Sequence, residues 1–348
     1  MSKLKKIINI TLAGILVLTL LMSVITVINR ESKENFIYRN KEPKKIGATY
    51  MTLNNPFYQI IDNEIRSVVN ANGDILISLD PQLSLERQVQ QLEYLIEQDV
   101  DAIVLTAVDF NGLTSSLKKA SEAGIPILVV DTDIPENDYV SFSITSDNYQ
   151  AGVECAKDMM KKKSHADIVL LRHSKAYSAL QRIQGFVDTI KDNPNYRIVE
   201  NIECNGQLEV AMPKMKQFLN KNVPFDVVMG LNDPSILGAV AAMQEQNRLK
   251  DVLVYGVDGS PEVKDLIKDG FIEGTVVQSP KTMGKETAEI LYRILNKKGY
   301  AKSEKIEVTL ITKENIHEHS LEGWETRKRS GNGYEDHGAG SERTVCCG

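Results

Sequence analysis

The sequence predicts an α/β chain made of two doubly wound parallel-sheet lobes, and three observations carry that prediction. Short, continuously apolar runs alternate with amphipathic segments from Lys45 to about Gly299. The alternation passes through four strands, pauses at Ser146-Asp147-Asn148 and then starts again. A chain of 348 residues also exceeds one ordinary core and suits two lobes with extensions.

The strand runs are Lys45–Tyr50, Ile75–Ile77, Ala102–Leu105 and Ile127–Val130, then Ile168–Leu171, Val227–Met229, Val252–Tyr255 and Thr275–Val277. Runs this short, β-branched and apolar on both faces suit strands buried between two helical layers. The segments between them have helical spacing. Phe57, Ile60, Ile61, Ile65, Val68 and Val69 form one stripe, closed by Gly73, and Leu85, Val89, Leu92, Leu95 and Ile96 form a second. These stripes are core. Strand–helix–strand repetition then gives the doubly wound architecture. The chain is expected to cross between lobes at Ser146-Asp147-Asn148, at Gln278-Ser279-Pro280 and before the last apolar run, Ile306 to Ile311.

The ends of the chain differ from this pattern. Residues Ile7 to Ile28 carry no charge and follow Lys3, Lys5 and Lys6. A membrane-crossing helix needs about 20 such residues, whereas a secretory signal core has about 7–15. No small-x-small cleavage site follows, and the first cysteine, Cys155, lies too far on for a lipid anchor. The segment therefore reads as an uncleaved single-pass anchor at the cell membrane, with a cleaved signal as the alternative. The basic residues before it favour a cytoplasmic N-terminus, although Arg30, Lys33, Arg39 and Lys41 blunt the asymmetry. Cys155 and Cys204 have no metal-like spacing and read as lone thiols, while Cys346 and Cys347 belong to the tail. From Thr326 the periodicity stops and Gly, Ser, Arg and Glu dominate. A disordered tail is expected there, with a vector-derived or read-through extension as one origin.

In open parallel sheets, ligands bind beyond the carboxyl ends of the strands. Those positions hold Leu53 to Tyr58, Asp131-Thr132-Asp133, Leu231-Asn232-Asp233, Tyr255 to Pro261 and Val277 to Pro280. The set is amides, carboxylates and aromatics, with no nucleophile–base pair. Carboxylates and amides bond hydroxyls, and aromatic faces cover the C–H side of a sugar ring. Each feature alone has a structural explanation: Asn55-Pro56 is a helix-start signal and Asp258-Gly259 a turn signal. Their recurrence at successive strand ends points to a neutral polyol.

From about Lys45 to Asn315 the chain resembles the ribose-binding members of the type I periplasmic binding proteins. The resemblance is carried by Leu53 to Tyr58, Arg182-Ile183-Gln184-Gly185-Phe186, Asn232-Asp233 with Gly238-Ala239, and Gly256-Val257-Asp258-Gly259. It implies sugar contacts from Asn55, Phe57, Tyr58, Asp131, Arg182, Asn232, Asp258 and Gln278, with Thr132 at the same strand end. Phe57 and Tyr58 would sandwich the ring, and Arg182 would make paired hydrogen bonds. Two departures bear on which sugar fits. Such ribose binders carry an arginine where this chain has Thr132, and an aromatic near Cys204-Asn205-Gly206, where it has none; Tyr177 is a candidate substitute. A pentose such as xylose is the expectation, with ribose itself in question.

The resemblance implies a non-enzymatic binder that closes about a hinge and shows its closed form to a membrane partner. With a helical anchor, that partner is expected to be the extracellular domain of a sensor histidine kinase; the alternative is the permease of an ABC sugar importer. A glycosidase would need two carboxylates flanking a bond about 5–10 Å apart, and only Asp131 and Asp258 offer a pair. The net charge of −6 and the absence of a DNA-reading helix pair argue against nucleic acid. His165, His173 and His337 lack partners at ligand spacing, and His317 with His319 reads as a solvated face, so no metal or cofactor is expected. The domain expectation is a cytoplasmic N-terminus at 1–6, an anchor at 7–28 and a linker at 29–44. The N-terminal lobe takes 45–147 with 278–305, the C-terminal lobe 148–277 with 306–324, and the tail 325–348.

Overall fold

The computed structural model describes residues 42–324 except 136 and 137, together with Thr19, Met22, Ser23 and Thr26 and the backbone of 328–330, 333–335 and 341–343. The expected anchor at 7–28 thus lies outside the described residues, apart from four helical positions, as do segment 1–6 and most of the linker. Among the described residues, no helix is long and apolar enough to cross a membrane.

The first lobe opens with β1 (Lys45–Thr49), α1 (Pro56–Ala71), β2 (Ile75–Leu79), α2 (Leu85–Glu97), β3 (Ala102–Leu105), α3 (Thr114–Glu122), β4 (Ile127–Asp131) and β5 (Phe142–Ser146). The second holds α4 (Asn148–Lys162), β6 (Ala166–Arg172), α5 (Tyr177–Ile190), β7 (Tyr196–Glu203), α6 (Leu208–Leu219), β8 (Val227–Gly230), α7 (Asp233–Glu245), β9 (Leu253–Asp258), α8 (Pro261–Asp269) and β10 (Gly274–Val277). The chain then returns through α9 (Pro280–Leu295) and β11 (Ser303–Ile306) to the first lobe, and ends in the second with β12 (Thr309–Thr312). Six strands of the first sheet run β2-β1-β3-β4-β5-β11, parallel to one another. The second runs β7-β6-β8-β9-β10-β12, parallel except for the antiparallel edge β12.

Local chemistry sets these elements. β3 and β4 are buried at every position, as central strands of a two-sided sheet must be. At the start of α1, the Asn55 side chain accepts from the Phe57 N–H at 3.0 Å, and Pro56 occupies the first turn, where its missing N–H costs nothing. The buried stripe Phe57, Ile61, Ile65 and Val69 then packs into the core. Cys155 and Cys204 are free, buried thiols.

The chain passes between the lobes at Asp147, at Gln278-Ser279 and at Glu307-Val308. The last passage divides the apolar run Ile306–Ile311 instead of preceding it. Ile306 is buried with the first sheet, and Ile311 with the second. Beyond Thr326, where irregular chain was expected, short strands are present: β13 (Lys328–Ser330) pairs with β14 (Gly333–Glu335), and β15 (Ser341–Arg343) pairs antiparallel with β11.

One helix contact positions the site. α4 and α5 meet through glycines: a Cβ on Gly152 would lie 1.9 Å from the Arg182 carbonyl oxygen, and one on Gly185 would lie 2.0 Å from that of Tyr149. Both clashes are with backbone, so no side chain can yield. This bare crossing sets how deeply Arg182 enters the cleft.

Candidate functional site

The carboxyl ends of both sheets face one cavity, lined from both lobes by polar and aromatic side chains. The lips above it touch. The Phe110 N–H donates to the Lys175 carbonyl at 3.2 Å, Lys175 Nζ stands 3.8 Å from Asp109 Oδ2, and the Phe110 and Tyr177 rings meet at 5.4 Å. Deeper down, the Ser178 N–H donates to Thr132 Oγ1 at 3.1 Å across the same divide. The arrangement is a closed one.

Arg182 stands at the centre, nearly fully buried. Its Nε donates to Asn148 Oδ1 at 2.8 Å and its Nη1 to the Leu231 carbonyl at 2.9 Å. These fixed bonds leave the guanidinium between two carboxylates that it does not reach: Nη2 is 3.9 Å from Asp131 Oδ1, and Nη1 is 3.7 Å from Asp258 Oδ1. Both gaps exceed a hydrogen bond. Asp131 Oδ1 is buried without a partner, as is Gln278 Oε1. Their sister atoms are engaged: Asp131 Oδ2 accepts from the Tyr58 hydroxyl at 3.2 Å, and Gln278 Nε2 donates to Asp258 Oδ1 at 2.8 Å. Buried acceptors left open beside a guanidinium invite groups that both donate and accept, and a hydroxyl does both.

The backbone places these carboxylates under strain. Asp131 has φ +73° and Asp258 φ +141°, conformations that L residues rarely adopt and that cost about 1–3 kcal/mol each. Behind Asp258, the Asp233 side chain accepts from the Ser260 N–H and the Thr275 hydroxyl, both at 2.7 Å, and so fixes the turn after β9.

The electrostatics follow from burial. Desolvation raises the carboxyl pKa of Asp131, against the opposing pull of Arg182. Desolvation, and then the charge of Asp233, pushes Asp258 well above the usual carboxylate range. Asp233 is itself pushed up to about 6, mainly by burial. Burial lowers the pKa of His173, so its imidazole stays neutral at pH 7. Two acidic groups flank the one buried guanidinium, an arrangement that does not favour an anionic ligand.

A pH dependence with a definite sign results. A carboxyl with a raised folded-state pKa binds protons more tightly folded than unfolded, so lowering the pH from about 6 toward the unfolded value of about 4 stabilises the fold. His173 opposes this, because its lowered pKa favours the unfolded state below about pH 6.5. The Asp233 contribution should therefore show as a melting-temperature advantage of wild type over Asp233→Asn that grows from pH 7.5 to pH 5 in a calorimetric scan. An advantage that shrank toward pH 5 would contradict the raised pKa of Asp233.

The positions singled out in the sequence divide into three groups. Asp131, Arg182, Asp258 and Gln278 converge as described, and Asn55, Phe57, Tyr58 and Asn232 also line the cavity. Asn232 is largely committed to the fold. Its Oδ1 accepts from the Ser235 N–H at 3.1 Å and hydroxyl at 2.6 Å, capping α7, and its Nδ2 donates to the Gly206 carbonyl at 3.0 Å. Thr132 is fully buried outside the cavity wall, its hydroxyl engaged by Ser178. The ring sandwich gives way to a corner: Phe57 and Tyr58 meet at 5.5 Å with an interplanar angle of 87°, so their faces cannot clasp one ring. Tyr177 packs on Phe110 at the lip and does not replace an aromatic wall. The cavity also takes in His173, Leu83 and Gln207, which the sequence reading did not select. His173 follows β6, so applying the strand-end rule to that strand would have found it. Leu83 enters through consecutive left-handed residues, Gln82 and Leu83 at φ +50° and +60°, for which the sequence gives no signal.

Two α/β lobes closed over one buried polar cavity define a two-lobed solute-binding protein. The chain belongs to the periplasmic binding protein domain family, which it matches over residues 46–299. It is 28% identical over 265 residues to the ribose import binding protein of Bacillus subtilis, covering 76% of this chain and 86% of that one. Among solved structures, it is similar to the binding component of the arabinose ABC transporter of a Shewanella species, bound to L-arabinofuranose. That match has 27% identity and a TM-score of 0.73 over 79% of this chain and 93% of the other. A solute-binding protein of an ABC transporter from Agrobacterium vitis, bound to D-fucose, matches with 27% identity and a TM-score of 0.74 over 78% and 96%. The family consists of binders, and this chain is a binding protein and not an enzyme.

Proposed function

We propose that the protein binds one neutral monosaccharide, a pentose of the xylose or ribose type, outside the cytoplasm, and closes over it. The observation that carries this reading is the open bonding around Arg182. Asp131 Oδ1 and Gln278 Oε1 await donors, while the guanidinium faces both carboxylates across gaps that an intervening hydroxyl would bridge. Phe57 and Tyr58 both line the cavity and can cover the C–H side of the ligand. The ribose import relative supports a pentose. The sugar shifts the open–closed equilibrium by its differential affinity for the closed form. A thermal-shift panel tests this: a pentose at 100 times its Kd adds about 2.7 kcal/mol of stability. A rise in melting temperature with a hexose alone would refute the pentose assignment.

The segment 7–28 would hold the domain at the outer face of the membrane if retained as a single-pass anchor, or would direct export and then be removed if it is a signal. Its uninterrupted apolar length supports retention, and mass spectrometry of the native N-terminus decides between the two. The partner for the closed form has two readings. The relation to an import binding protein favours an ABC permease. An uncleaved anchor favours the extracellular domain of a sensor histidine kinase, because confinement to one membrane raises the effective concentration of both proteins. Co-purification from membranes with and without the sugar separates them, since only the true partner would be retained in a sugar-dependent manner.

A further inference from the structure

The chain does not finish its work on the second lobe at β12. After a short turn of 3₁₀ helix at Ile316–Glu318, residues 320–324 pack back against α8. Their anchor is Lys264 of α8, whose side chain is fully buried. A buried ammonium needs acceptors, and Lys264 Nζ donates to the Ser320 carbonyl at 3.0 Å and the Gly323 carbonyl at 2.7 Å. Gly323 takes a left-handed turn at φ +76°. Just beyond it stands Trp324, the single tryptophan of the chain, only 9% exposed. Its ring packs edge-on against Phe57 of the first lobe, with centroids 5.7 Å apart and an interplanar angle of 62°. Trp324 is not part of the cavity wall, whereas Phe57 is, so the indole backs Phe57 from outside the ligand space.

We propose that segment 320–324 is a strap, pinned to the second lobe by Lys264, that reaches across to the first and buttresses Phe57 through Trp324 in the closed form. Trp324 and Lys264 are positioning residues: neither touches the ligand, and both act through the Phe57 ring. This inference rests on the cleft being the sugar site. The strap joins one lobe to a wall residue of the other, so its contact strengthens as the lobes close. It therefore holds the bound sugar by slowing reopening more than by speeding capture.

The single tryptophan makes the test direct. Sugar added to the full-length protein should shift the indole emission and protect it from acrylamide quenching. Trp324→Ala should raise Kd about three- to tenfold, the size of one aromatic pair, through a faster off-rate with an unchanged on-rate. Trp324→Phe should recover most of that loss. Lys264→Met, which keeps Trp324 but removes the pin, should weaken affinity similarly and abolish the sugar-dependent emission shift. Calorimetric binding that is unchanged in Trp324→Ala, or an emission that ignores the sugar while binding proceeds, would overturn the strap and leave the cleft reading intact. Failure of the wild-type protein to bind any sugar would overturn the cleft reading, and the strap's role with it.

Discussion

Replacing Arg182 by methionine should leave the protein folded but lower its sugar affinity by about 2–5 kcal/mol, or some thirtyfold to several thousandfold, in a calorimetric titration. Methionine fills a similar volume, so the helix and its glycine contact with α4 survive. What disappears is the cation between Asp131 and Asp258, along with the hydrogen bonds to Asn148 and Leu231. Both carboxyls already titrate above their ordinary values because they are buried. Without the guanidinium they take up protons, which lets the fold persist but turns acceptors for sugar hydroxyls into competing donors. Were Arg182 merely a filler of the lobe interface, the variant would melt lower and bind sugar as before.

The second large effect is on the scaffold. Gly152→Ala should lower stability by about 1–3 kcal/mol or more, because the added methyl would sit 1.9 Å from the Arg182 carbonyl and 2.7 Å from the Phe186 nitrogen. Backbone cannot step aside as a side chain can, so α4 and α5 must separate. That movement withdraws Arg182 from the cleft, and the variant should lose affinity as well as melting temperature. Gly124→Ala is the control for a general glycine effect. It has open space around it, and its φ of +75° confines the cost to local strain far from the cleft. A Gly152→Ala protein that melts like wild type would mean that the two helices do not meet as described.

The parts of this architecture that the sequence disclosed are those written in apolar pattern. Ala102–Leu105 and Ile127–Val130 could be read as buried strands because no solvent-facing residue interrupts them, and both are buried throughout. β5, β7 and β11 escaped notice for the opposite reason. Phe142–Ser146 alternates buried with half-buried residues, Tyr196–Glu203 is an exposed edge, and Ser303–Ile306 buries only Glu304 and Ile306. The four polar side chains at the heart of the cavity stood out through their positions at strand ends or within the Arg182 motif. Their bonding could not be read in the same way. Whether an amide caps a helix or faces a ligand depends on atoms brought from elsewhere: Asn232 turns toward Ser235 and Gly206, whereas Gln278 keeps an oxygen free. Asn148, which fixes the Arg182 fork, lies 34 residues away in sequence and carries no motif. The angle between neighbouring rings is equally silent in sequence, so Phe57 and Tyr58 suggested a clasp and form a corner.

The most direct test of the central claim is a calorimetric titration of the protein with ribose, xylose, arabinose, galactose and glucose, repeated with Asp258→Ala and Arg182→Met. The account predicts one-to-one binding of a pentose, with an unfavourable entropy from lobe closure, and loss of that binding in both variants. Binding that survives in both variants, or no heat with any of the five sugars, would contradict it.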